Sequence, residues 1–429
     1  MNPPRTGPCR GLLRSVVAHA VPACSRSLVL LFPRSFFRSG TWIAASMGCL
    51  LLSDGPVDAV PRIPRHNDEV LEKLPTTQNY LRRRSPDPSQ SPSTLPLGEA
   101  VGEARRLVDL ARTESDPRYL GRAQAVLAPW YQLSDPPSEV RLLRAIVRQS
   151  NHDFEGALRD LQVCLEESPS NAQAWLVKAT IHTVRGEWQA ARDAALALTP
   201  LTERLVSASL AASIASLNGQ AEEACRLLES TLSGDRVKSP SLRLWAHTLL
   251  AETYSRRGQS AVAESHFKAA MRLGIRDAYL RGAYADFLLA EGRPAEVLSL
   301  LNETTPPDGL LLRLALAEHR IHPGSASVAA RITSLAQRFE AAHRRGEAVH
   351  QREEAMFELH LRNRPQRAWE LAKANWAVQR EPADVKIFLE SALAVGHSPT
   401  VNHLRHWLAE SGLEDVHISR LLTREQARP

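Results

Sequence analysis

The densest collection of residues able to do chemistry is the run HRRGEAVHQREEAMFELH, from His343 to His360. Within it His350 and Glu354 stand four apart. On a helix that spacing puts an imidazole and a carboxylate on one face, where both could reach a divalent cation. The segment lacks HExxH, Gly346 interrupts the helix, and spacing sets no third ligand. Ion pairing with the neighbouring arginines accounts for the same composition. His403 and His406, three apart, read the same way. GxSxG, GxGxxG and the Walker A pattern are absent, and Ser, His and Asp residues are scattered without a triad order. The expectation is therefore no enzyme, no metal site and no cofactor. A metal carrier or enzyme using His343, His350 and Glu354 is kept as an alternative.

Five cysteines are present. Cys9, Cys24 and Cys49 fall near the N-terminus; Cys164 and Cys225 are single residues in apolar helical stretches, with no CxxC or Cys/His zinc spacing around them. Both are expected to act as small buried hydrophobes.

Charge excludes one class of partner. The chain carries 53 Lys and Arg against 47 Asp and Glu, a net +6, and only six of the basic residues are Lys. Residues 1–53 hold Arg5, Arg10, Arg14, Arg26, Arg34 and Arg38 with no Lys, Asp or Glu, so they supply all of the excess. The near-neutral remainder argues against nucleic acid as a partner.

That leader has the parts of an export signal: Arg34 and Arg38 as a basic region, the apolar run TWIAASMGCLLL at 41–52, then Val57 and Ala59 before a cut ahead of Val60. The first 33 residues exceed what such a signal needs. The same composition fits an organelle transit peptide, and a retained signal would leave a membrane anchor. Cys49 lacks the preceding Leu of a lipidated site. The reading is export to the periplasm, with a cytoplasmic protein whose start lies further downstream as the alternative. Residues 60–97 form a Pro-rich linker (Pro61, Pro64, Pro75, Pro86, Pro88, Pro92, Pro96), with one short helix expected near Asp68–Leu74 and a basic Arg82-Arg83-Arg84 run.

From 98 to 416 the chain is helical and repetitive. The segment at 138–171 aligns with that at 172–205 at an offset of 34 residues, so that Ala145 meets Ala179, Phe154 meets Trp188 and Ala157 meets Ala191. Residues 244–277 align likewise with 278–311, matching Ala251 to Ala285 and Gly258 to Gly292. Residues 205–238 place Ala212, Gly219 and Ala224 at the same offsets. The pattern has a physical reading. A small residue at the eighth position lets the first helix approach the second. Gly or a short polar residue at the fifteenth makes the turn, where positive φ is easiest for Gly. An aromatic two residues on fills the gap, and Ala at the twentieth is the second helix's contact point. Pro169 ends its unit.

Trp175, Ala179, Gly186, Trp188 and Ala191, with Ala251, Tyr254, Gly258, Ala263, Phe267 and Ala270, resemble the tetratricopeptide repeat family, whose period is 34 residues, and the leader makes the chain similar to its exported bacterial members. The resemblance is strong over 138–311. Residues 349–382 depart from it by placing Met356 at the small-residue site, and 99–135, 310–345 and 382–416 read as degenerate or capping pairs, about nine pairs in all. The fold implied is all-α, a right-handed superhelical α-solenoid following a disordered leader (1–59) and linker (60–97) and ending in a tail at 417–429. Trp407, Leu408, Leu413 and Leu421 remain for a cap or a dimer contact.

The function implied is a non-catalytic scaffold that binds a peptide segment or helix of a partner protein in the concave groove. The family's inner-face offsets give Glu139, Leu142, Ile146, Gln149, Gln173, Leu176, Thr180, Thr183, Ser209, Ser213, Trp245, Thr248, Glu252, Ser255, Tyr279, Asp286 and Leu289. None is Lys, Arg or Asn, which disfavours an adaptor for acidic chaperone tails. Trp245, Glu252, Tyr279 and Asp286 are the expected hot spot, with ordinary helix packing as the competing account. The partner's identity, the oligomeric state and a strand or helical form of the ligand stay open, and a membrane is involved only if the N-terminal segment is retained.

Overall fold

A computed structural model describes residues 95–234, 239–302, 306–344 and 350–426. The export signal, the linker helix near 68–74 and the Arg82–Arg84 run lie outside the described residues. No helix among those described is long and apolar enough to cross a membrane.

The described residues form antiparallel helix pairs in chain order: α1 (Leu97–Glu114) with α2 (Arg118–Val126), then a short α3 (Ala128–Tyr131); α4 (Ser138–Ser150) with α5 (Phe154–Glu167); α6 (Ala172–Val184) with α7 (Trp188–Leu198); α8 (Arg204–Ser216) with α9 (Ala221–Leu232); α10 (Pro240–Arg256) with α11 (Ser260–Met271); α12 (Ala278–Ala290) with α13 (Pro294–Leu300); α14 (Asp308–Ile321) with α15 (Ala326–Arg344); α16 (Gln351–His360) with α17 (Pro365–Trp376); α18 (Pro382–Val395) with α19 (Ser398–Ser411); and finally α20 (Val416–Gln426).

Each pair is built from the same local devices. Between its helices sits one residue at positive φ: Ser115, His152, Gly186, Gly219, Gly258, Gly292, Gly324, Asn363 and Gly396 in turn. That conformation brings the chain sharply round while the residue after it bonds back to the first helix, as Glu187 N does to His182 O at 2.9 Å and Gln259 N to Tyr254 O at 2.9 Å. Side chains start several helices: Asp153 accepts from Gly156 N, Asn171 from Ala174 N and Asp277 from Leu280 N. Ala145, Ala179, Ala212, Ala251 and Ala285 on first helices, and Ala157, Ala191, Ala224 and Ala263 on second helices, are all fully buried where the helices touch. Cys164 and Cys225 are buried among them, and burial pushes the Cys164 thiol up to about 11.

Two sequence expectations are corrected. In the pair α16/α17 the buried small residue is Ala355, and Met356 is half-buried beside it. Its turn is one residue longer: the positive-φ residue follows the small one by eight positions in Ala355–Asn363, but by seven in Ala179–Gly186. The expected tail is also structured. Helix α20 continues to Gln426 and buries Ile418 to 1% exposure, together with half-buried Leu421, Trp407, Leu408 and Leu413. Those apolar residues therefore cap the end of the array.

The array bends until distant pairs meet. Helix α1 lies against α12, where Arg112 reaches Asp277 at 3.4 Å and Arg276 reaches Glu114 at 3.9 Å. Further along, the backbone N–H of Arg380 donates to Val184 O at 2.8 Å, and Asn218 Nδ2 donates to Ser411 O at 3.3 Å. Arg257 lies 3.8 Å from Glu414. Gly219 and Gly412 face each other so closely that a Cβ on Gly412 would sit 3.2 Å from the Gly219 Cα. The first pair thus meets the sixth, and the last helices rest on the turns of the third, fourth and fifth.

Candidate functional site

This bending turns the expected open groove into a channel of about 1180 Å³, walled on one side by residues of α1 to α12 and on the other by residues of α14 to α20. Gln149, Thr180, Ser213, Glu252, Ser255, Tyr279 and Asp286 line it. They come mostly from the ninth and twelfth positions of successive first helices, which the helical period places on one face. Ile146, Thr183, Ser209, Thr248 and Leu289 instead lie buried between helices, Thr183 and Thr248 with their hydroxyls donating to Ala179 O and Leu244 O. Leu142, Gln173, Leu176 and Trp245 are half-buried, and exposed Glu139 lies, like them, away from the channel lining.

Tyr279 is the most accessible aromatic of the channel, 64% exposed although it sits inside it. Its hydroxyl donates to Glu252 Oε1 at 2.8 Å. Burial pushes the Glu252 carboxyl up to about 7; the nearby charges of Glu381 and Asp286 add to this, and Arg256 and the tyrosine hydroxyl oppose it. Asp286 is neutralised differently. Arg313 binds it with Nε at 2.9 Å and Nη2 at 2.5 Å, while also donating to Gly282 O and Gly309 O. This two-pronged pairing fixes both side chains to the wall.

The opposite wall contributes Arg352, which donates to Glu381 at 3.0 Å, Glu353 at 3.2 Å and Asp384 at 3.3 Å. Burial alone would raise the Glu353 carboxyl, but the guanidiniums of Arg352 and Arg313 outweigh it and hold it at about 2. Buried Asp384 goes the other way, to about 6, because burial outweighs Arg352. Burial, with Arg352 next, lowers His152, which stands at the mouth of its own turn.

The inner-face residues named from sequence stop at Leu289, so Arg313, Arg352, Glu353, Glu381 and Lys386 were not among them. The signal was present for two: Glu353 and Lys386 occupy the fifth position of units starting at 349 and 382. Arg313 and Arg352 fall one position earlier, outside the offset scheme.

The His343–His360 segment does not assemble a metal site among the described residues: no three His, Cys, Asp or Glu side chains converge there or elsewhere. His343 Nε2 pairs with Glu354 at 2.8 Å, and Arg367 lies 3.6 Å from the same carboxylate. His350 precedes α16 as its cap residue. His406 pairs with Glu410 at 3.1 Å, and His403 packs edge-on against Trp376.

Helix pairs of one repeating design, stacked with buried alanines and left-handed turn residues, define a tetratricopeptide-like α-solenoid. Its candidate site is the channel. No protein-family model matches the sequence, and no curated protein matches it. Solved structures that it resembles include the Cut9–Hcn1 hetero-tetramer of the APC/C, at 16% identity over 75% of this chain with a TM-score of 0.43. A tetratricopeptide repeat protein from Parabacteroides merdae matches 68% of this chain and 98% of its own, at 16% identity and a TM-score of 0.35. The match covers 62% of the Cut9–Hcn1 chain, so this chain aligns with less than two thirds of that relative's length.

Proposed function

We propose that the chain is a non-catalytic protein–protein interaction scaffold that holds an extended segment of a partner protein in its channel. The observation that carries this reading is the channel itself. At about 1180 Å³ it exceeds the usual span of small-molecule pockets, and polar and charged groups make up about half of its lining, where such pockets are mainly apolar. An aromatic left exposed inside it, Tyr279, is the kind of side chain that anchors interfaces. Successive first helices present side chains in a row, which suits a chain-like ligand.

The test is a C-terminally tagged pull-down from fractionated native cells, with bound proteins identified by mass. A stoichiometric partner lost with Tyr279→Ala plus Ser213→Arg, but kept with Leu196→Ser on the exposed face of α7, supports the reading. A partner indifferent to the channel changes contradicts it. Export is part of the proposal and is supported by the basic, apolar and small-residue succession of residues 34–59. A periplasmic pool whose mature N-terminus is Val60 supports it; a cytoplasmic pool overturns it in favour of the downstream-start alternative.

A further inference from the structure

Most lumen cations are already satisfied by the protein. Arg313 is matched by Asp286, Arg352 by Glu353 and Glu381, and Arg338 by Asp308. Lys386 acts on Glu390 and His417, away from Glu252. Two lumen acids have no ion pair among the described residues: Asp415, whose Oδ1 accepts from His417 N and Ile418 N at the start of α20, and Glu252. The hydrogen bond to Glu252 comes from a neutral hydroxyl, that of Tyr279. Arg256, one turn along the same helix, spends its Nη2 on Ser216 at 3.1 Å and Thr253 at 3.3 Å. A carboxylate with one oxygen uncommitted therefore stands at the hydroxyl edge of an aromatic ring that is 64% exposed, within the channel. Ring face and carboxylate together favour a cation, the first through its quadrupole and the second through charge.

We infer that Glu252 and Tyr279 form a receptor for a lysine or arginine side chain, so that the partner segment entering the channel is a basic one. The inference rests on the channel reading above and names the chemistry of its ligand. It also carries a pH dependence. Glu252 binds the cation only as carboxylate, and its proton is released around pH 7 in the empty channel, with Glu381 and Asp286 raising that value and Arg256 opposing them. The groups acting on it are Arg256 on its own helix, Tyr279 and Asp286 on α12, and Glu381 on the opposite wall, while Arg352 acts on Tyr279. Affinity for the basic segment is then expected to fall as pH drops below about 7, approaching tenfold per unit.

The experiment uses the immobilised full chain and a positional-scanning library of fluorescein-labelled dodecapeptides at pH 8. The expected result is enrichment of Lys or Arg over Glu by fivefold or more at one position. Glu252→Gln and Tyr279→Ala should abolish that preference, Tyr279→Phe should keep it, and lowering the pH to 6 should weaken it. Far-ultraviolet circular dichroism of each variant, matched to wild type, excludes unfolding as the cause. Peptides retained without a basic preference, or with a preference that survives Glu252→Gln, overturn the cation receptor and leave the channel reading standing. No retained peptide at all overturns both.

Discussion

Buried charge fastens the start of the array. Arg144 and Asp160 are 7% and 5% exposed; Arg144 grips both carboxylate oxygens at 2.9 and 2.7 Å and donates from Nη1 to Tyr131 O and Leu133 O. Arg148 reaches the same carboxylate at 2.7 Å. Removing Asp160 would strand a buried guanidinium, so Asp160→Ala is expected to cost about 3–5 kcal/mol in urea unfolding. By contrast, Glu103→Ala, which breaks the exposed pair with Arg106, should cost under about 1 kcal/mol. Strain makes the opposite prediction at Ser115, exposed and at φ 52 where the other turns mostly have Gly. Ser115→Gly should stabilise by about 1 kcal/mol. His247 and His266 meet Nδ1 to Nδ1 at 3.0 Å, a contact that needs at least one bare nitrogen. Burial, with His266 next, lowers His247 to about 4, so the unfolded chain takes up its proton first. Stability from this pair is complete above pH 6.5 and lost as pH falls toward 4. His247→Phe should flatten the decline of the urea midpoint over that window.

At the scale of the helix pair, the recurring requirement is close approach. Ala179 is fully buried against its partner helix, where a leucine would add three carbons. Ala179→Leu should cost about 1–3 kcal/mol by overpacking, read as a lower melting temperature with helicity kept below the transition. This requirement is also why the pairs were legible in the sequence. Every unit needs the same small contact residue and the same left-handed turn, so Ala179 with Gly186, or Ala285 with Gly292, repeats in register. Where a unit meets the requirement differently, the register misled: the longer turn before Asn363 moves the contact from Met356 to Ala355. Helix α20 was missed because HISRLLTREQ carries few apolar residues, and what holds it is Ile418 buried on the preceding pairs.

At the scale of the described array, the contacts that close the channel could not be read in advance. Arg380 with Val184, and Asn218 with Ser411, are separated by most of the repeat region and involve backbone groups that carry no pattern. The lining residues on the near wall, and Glu353 and Lys386 on the far wall, follow from the repeat period; Arg352 and Glu381 on the far wall follow only from this closure. Gly412 is its tightest point, at φ 70 and against Gly219. Gly412→Val is expected to open the contact, because the left-handed backbone alone costs a non-Gly residue about 1–2 kcal/mol and the side chain has no space. Small-angle scattering should then show a larger radius of gyration at unchanged helicity.

The central claim is that a partner enters the channel. Its most direct test is site-specific photocrosslinking in native cells, with benzoylphenylalanine placed at position 279 inside the channel or at position 196, where Leu196 is 65% exposed on α7. The account predicts one discrete crosslinked protein from 279 and none from 196. Crosslinking from 196 alone, or from neither position, would contradict it.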